Sequence, residues 1–117
     1  MKKILKFSIL KYSPILSSGE EIILGIIFSE EAIGYHSFYY IQDLDHIKFF
    51  DDKLDLSILK DLLVGIKEEV DGEWFDKDFN INSFIKFYIN DYKFDDLQII
   101  EYQDLEKAIV TLKKIYF

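Results

Sequence analysis

Ile22 to Phe28 is the longest apolar run in the chain. It is far shorter than the about 20 residues a membrane-spanning helix needs. Read as a strand over Ile22 to Ser29, it is apolar on both faces, which places it in the centre of a sheet. Gly25 inside the run predicts either a close approach by a neighbour or a bulge.

Residues 4–12 predict the strand before it, with Leu5, Phe7 and Ile9 on one face. Ser13-Pro14 ends that strand, because proline donates nothing to a ladder. Its lysines mark it as a protected edge strand. After a turn at Glu30-Glu31-Ala32-Ile33-Gly34, Tyr35 to Ile41 predicts a third strand. Short connections make the three an antiparallel meander. Residues 43–53 are ambiguous, with Ile47 to Phe50 a candidate short strand.

Helical spacing comes next. Leu56, Leu59, Leu63, Ile66 and Val70 fall on one face, with Asp55 as N-cap and Gly72 just past the end. Gly65 inside this helix costs about 1 kcal/mol relative to Ala unless a close contact uses it. Ile81, Phe84, Ile85 and Tyr88 predict a short helix capped by Asn82 or Ser83. Residues 93–102 suit one last strand. Leu105, Ile109, Leu112 and Tyr116 then line a C-terminal helix, with acids at its start and Lys113 and Lys114 at its end, as the helix dipole favours. The expected fold is a single α+β domain over residues 1–117: a small, mainly antiparallel sheet with the two main helices packed on one face.

One stretch carries a resemblance. Leu10-Lys11-Tyr12-Ser13-Pro14 is followed by Gly19-Glu20-Glu21-Ile22-Ile23-Leu24-Gly25-Ile26. This is similar to the opening of a bacterial and phage family of unknown function, whose pattern runs [IL]-[RK]-Y-x-P and then G-E-x-x-N-x-G. Ile23 stands where that family has Asn. The resemblance implies no activity. It implies only a context, since some members occupy mobile or defence-related gene neighbourhoods.

Composition excludes several chemistries. There is no Cys, so no disulfide scaffold, thiolate metal site or catalytic thiol exists. All 14 bases are Lys, against 22 acids, and the net charge is -8. Without guanidinium forks the chain lacks bidentate contacts to phosphate or guanine, and its field repels nucleic acid. No direct nucleic-acid binding and no membrane association are expected. Lys6 and Lys11 interrupt the apolar segment a signal peptide would need, so a cytoplasmic location is expected.

Candidate chemistry is sparse. His36 and His46 are ten residues apart and fit no helical zinc spacing. His36 is expected as an outward or edge residue, His46 as a solvated loop residue. No phosphate-binding loop or nucleophile elbow occurs. Acids come in pairs, among them Asp95-Asp96, and none fits a calcium loop. Asp51-Asp52-Lys53, with Asp43 upstream, imitates the acid-and-lysine set of a metal-dependent nuclease or hydrolase. The plainer reading of that triplet is a solvated turn before a helix.

Residues 43–78 hold twelve acids against five lysines, a net -7. Trp74 and Phe75 lie among them, either folded onto the sheet or exposed as an anchor within an acidic rim. A rim of that sign suits a basic partner. The expected function is therefore a non-catalytic interaction protein, without cofactor or metal. Its acidic face would comprise Asp43, Asp45, Asp51, Asp52, Glu73, Trp74, Phe75, Asp76 and Asp78, binding and regulating or inhibiting a basic protein or nucleoprotein. Phage–bacterium conflict, by analogy with anti-CRISPR inhibitors, is the setting. Surplus Tyr and Phe also leave a homo-oligomer open, which Lys-rich strand edges oppose.

Overall fold

The computed structural model describes residues 3–12, 22–42, 56–72, 80–86 and 92–117. The sheet contains β1 (Ile4–Tyr12), β2 (Ile22–Glu30), β3 (Tyr35–Tyr40), β4 (Tyr92–Phe94) and β5 (Gln98–Glu101). Its helices are α1 (Leu56–Gly72), α2 (Ile81–Ile85) and α3 (Leu105–Tyr116). Every strand pairing is antiparallel, and the order runs β3-β2-β1-β4, with β5 also on β1. The α+β class holds.

The meander is built as the sequence predicts, and β2 lies inside the sheet. Both expectations for Gly25 are met together. Register runs Leu10 to Gly25 and then Lys11 to Ile23, so Leu24 is an extra residue in β2. A Cβ on Gly25 would lie 2.6 Å from Phe38 Cζ and 2.7 Å from the Tyr39 carbonyl oxygen. The extra residue shifts the alternation. Leu24 and Ile27, three apart, join one core cluster, while Ile26 and Phe28 join the other.

Strand β1 is not an edge strand. It carries β2 on one side and β4 and β5 on the other. Its lysines serve as ion-pair partners instead: Lys6 to Glu31 at 2.8 Å and Lys11 to Asp95 at 2.6 Å. The predicted last strand is two strands. The link between them is clamped to β1 by the Asp95 N–H on the Ile9 carbonyl (2.8 Å) and by Ser8 Oγ donating to the Asp95 carbonyl (2.7 Å). Aspartates are poor strand formers, so the chain leaves the ladder there.

The helices divide between the faces of the sheet rather than sharing one. Alternation along β1 explains why. Leu10 and Tyr12 point to the side where α1 places Leu59, Leu63, Ile66 and Val70. Leu5, Phe7 and Ile9 point to the other, where α3 places Ile109 and Leu112. A sheet whose two inner strands are apolar on both faces must be covered twice, or one face would stay wet.

Local signals set the helix ends. Asp104 caps α3 by accepting from the Lys107 N–H at 3.2 Å. The cap of α2 is Asn80, not Asn82 or Ser83; its Oδ1 accepts from both of their N–H groups, at 2.9 and 3.3 Å. Gly72 is the last residue of α1 instead of the residue after it. Gly65 faces open space among the described residues, so no contact with them offsets its helical cost. Gly34 has φ 66°, the left-handed conformation that closes the turn into β3. No helix among the described residues is long and apolar enough to cross a membrane.

Candidate functional site

The expected acidic face falls largely outside the described residues. Asp43, Asp45, Asp51, Asp52, Glu73, Trp74, Phe75, Asp76 and Asp78 all lie there, as do His46, Asp55, Lys53 and the Ile47–Phe50 segment. Helix α1 is the described part of the acidic region. Burial of Leu59, Leu63, Ile66 and Val70 turns Asp61, Glu68 and Glu69 to solvent. Lys60 is exposed beside them. The other lysine of the helix, Lys67, is drawn onto the sheet edge.

Polar side chains tie that edge down. Among the described residues strand β3 has β2 on one side only, and Phe38 directs its N–H and carbonyl outward. Asp71 Oδ1 accepts the N–H at 3.0 Å, and Lys67 Nζ donates to the carbonyl at 3.0 Å. Lys67 and Asp71, four residues apart, also pair with each other at 2.8 Å. Gln42 Nε2 donates to the Tyr40 carbonyl at 3.1 Å. Side chains thus occupy the hydrogen-bonding positions that another strand would need.

His36 is on this edge strand but is not outward-facing. It is 2% exposed, and its Nδ1 lies 2.6 Å from the Val70 carbonyl near the end of α1. The imidazole takes up a carbonyl left open at the helix end. It locks α1 to β3 and does not reach solvent. Among the described residues no group of three His, Asp or Glu side chains could hold a metal ion. The Asp95 carboxylate pairs with Lys11, while Asp96 is exposed.

On the opposite side of β3, Tyr35, Ser37 and Tyr39 form a hydroxyl row. Ser37 Oγ donates to Tyr35 Oη at 2.7 Å, and the Tyr35 and Tyr39 oxygens are 3.5 Å apart. Burial pushes the Tyr35 phenol well above its ordinary value, so Tyr35 is a neutral hydroxyl and not a phenolate nucleophile. Elsewhere, Tyr102 donates to Glu30, whose other oxygen accepts the Ala32 N–H at 3.0 Å. Burial, followed by the Glu30 bond, pushes the Tyr102 phenol up to about 12. Glu30 here caps a turn.

Beyond Tyr39 lies a groove of about 560 Å³, lined by Tyr39, Tyr40, Gln42, Lys67, Lys113 and Phe117 among others. Two ammonium groups reach the one ring of Tyr39: Lys67 Nζ at 5.1 Å and Lys113 Nζ at 4.2 Å from its centroid. Sequence reasoning missed this site. The i,i+4 spacing of Lys67 and Asp71 was a visible signal, but Lys113 had a sufficient explanation at the helix terminus. Nothing local connects Tyr39 to either lysine. No family model, curated protein or solved structure matches the chain.

Proposed function

We propose that the chain is a non-catalytic interaction protein of the cytoplasm, whose acidic region binds a basic protein or nucleoprotein and regulates or inhibits it. One observation carries the reading: residues 43–78 hold a net -7 of the whole charge of -8. In the middle of that region, α1 turns Asp61, Glu68 and Glu69 to solvent while Lys67 is withdrawn onto Asp71 and the sheet edge. A concentrated negative surface steers a cationic partner and rejects nucleic acid. The nine side chains Asp43, Asp45, Asp51, Asp52, Glu73, Trp74, Phe75, Asp76 and Asp78 extend the surface in this proposal, with the two aromatics as its anchor. A conflict between phage and bacterium is the setting it suits.

The test is affinity capture from a bacterial lysate, followed by a salt titration of whatever binds. A specific basic partner should elute progressively with salt, since screening shortens the reach of surface charge to about 8 Å at physiological ionic strength. The triple variant Asp61→Asn, Glu68→Gln, Glu69→Gln should weaken capture without altering the fold. A partner whose binding ignores both salt and the triple variant would refute the proposal.

A further inference from the structure

We propose that the groove at the β3 edge is a binding site for a small phosphorylated ligand carrying a planar ring, of the chemical class of a nucleoside monophosphate. This site does not depend on the acidic-surface reading.

Lys67 comes from α1 on one face of the sheet and Lys113 from α3 on the other, and both converge on Tyr39. Asp71 already balances Lys67 at 2.8 Å, so among the described residues the unbalanced charge at the ring is that of Lys113, which an anion would compensate. Lys113 has no carboxylate partner among the described residues. Lys67 spends two of its three N–H groups on the Phe38 carbonyl and Asp71, which hold it in place and leave one donor. None of the groove's described lining residues is acidic, in a chain with 22 acids.

The remaining lining supplies recognition for a flat ring. Phe117 is 45% exposed at the rim and offers an aromatic face for stacking, while Tyr40, half-buried and stacked on Phe38, lines the wall. Gln42 uses one amide N–H on Tyr40, leaving its second N–H and its carbonyl oxygen to pair with a base edge. The volume falls within the roughly 300–1,000 Å³ of small-ligand sites. Phosphate on the Lys113 ammonium and the remaining Lys67 donor, with the base against the aromatics, is the arrangement we propose.

The experiment titrates the full chain with AMP, inorganic phosphate and adenosine, following amide shifts of Tyr39, Lys67 and Lys113 by NMR. AMP should bind more tightly than either fragment and shift all three signals. Lys113→Met keeps the stem over Tyr39 and should weaken AMP about tenfold or more, as expected for one lost charge-assisted hydrogen bond. Phe117→Ala should weaken AMP but leave phosphate unchanged. Circular dichroism checks that both variants keep the fold. No AMP binding, adenosine or phosphate binding as tightly as AMP, or a Lys113→Met variant with unaltered affinity would each overturn the proposal. So would tighter binding of a short single-stranded oligonucleotide with the same variant dependence, which would make the site a nucleic-acid surface.

Discussion

On one face of the sheet α1 is tied to β3 by His36, Lys67 and Asp71 as well as by its apolar stripe. On the other, α3 rests on Leu5, Phe7, Ile9, Ile26 and Phe28, and among the described residues no hydrogen bond joins it to the sheet. Apolar contact sets how firmly a helix adheres, because it scales with area and has little direction. Directional bonds set where along a strand it comes to rest. Helix α1 has both kinds of contact, and its polar groups also close a sheet edge. Helix α3 needs no such register, since it lies on the face and closes no edge.

The largest expected effect probes the apolar part of this difference. Leu63 is fully buried and Leu112 is 8% exposed. Leu63→Ala should cost about 4 kcal/mol and Leu112→Ala about 2 kcal/mol in urea unfolding. Equal losses would mean that both helices are packed alike. Next come the polar ties. Asp71→Ala leaves the Phe38 N–H without its acceptor and should cost about 2 kcal/mol. Asp71→Asn keeps an acceptor and loses only a part-exposed ion pair, so it should cost under about 1 kcal/mol. If the two variants are equally destabilised, the charge and not the edge closure holds α1 in register.

A smaller effect concerns the face of α3, where Tyr102 packs. Its phenol titrates at about 12 in the fold, against an ordinary value near 10. A raised phenol pKa means that the fold favours the neutral form. The stabilisation is full below about pH 10 and is lost as pH rises towards about 12. Tyr102→Phe should therefore lose less stability than the parent over that interval, with Tyr35 contributing equally to both. Identical slopes would remove Tyr102 from the account. The one expected gain belongs to α1. Gly65→Ala meets no atom within 4 Å and should gain about 1 kcal/mol. A loss would reveal a neighbour at that position.

Particular residues show what could be read in advance. The strands at 4–12, 22–29 and 35–41 and the stripes of α1 and α3 follow from side-chain period, a local property of the chain. Asp104 and Gly34 likewise act within a few residues of themselves. The helix faces were harder. The double-sided apolar character of β2 already called for cover on both sides, but a helix stripe does not say which face it will meet. Lysines on β1 read as edge protection because their partners, Glu31 and Asp95, are 25 and 84 residues away. The acidic candidates stood out by composition, whereas the lysine–tyrosine groove was invisible to it.

The sequence by itself determined the element types, the antiparallel meander, the glycine within β2 and the exclusion of cysteine chemistry. These depend on the backbone and side chain of one residue and its near neighbours. Only the tertiary structure decided that β1 is internal, that the helices take opposite faces, that His36 is buried against Val70, and that Lys67 and Lys113 meet at Tyr39. Each of those joins groups far apart in the chain, and such distances are set by packing the whole molecule, which no local pattern encodes.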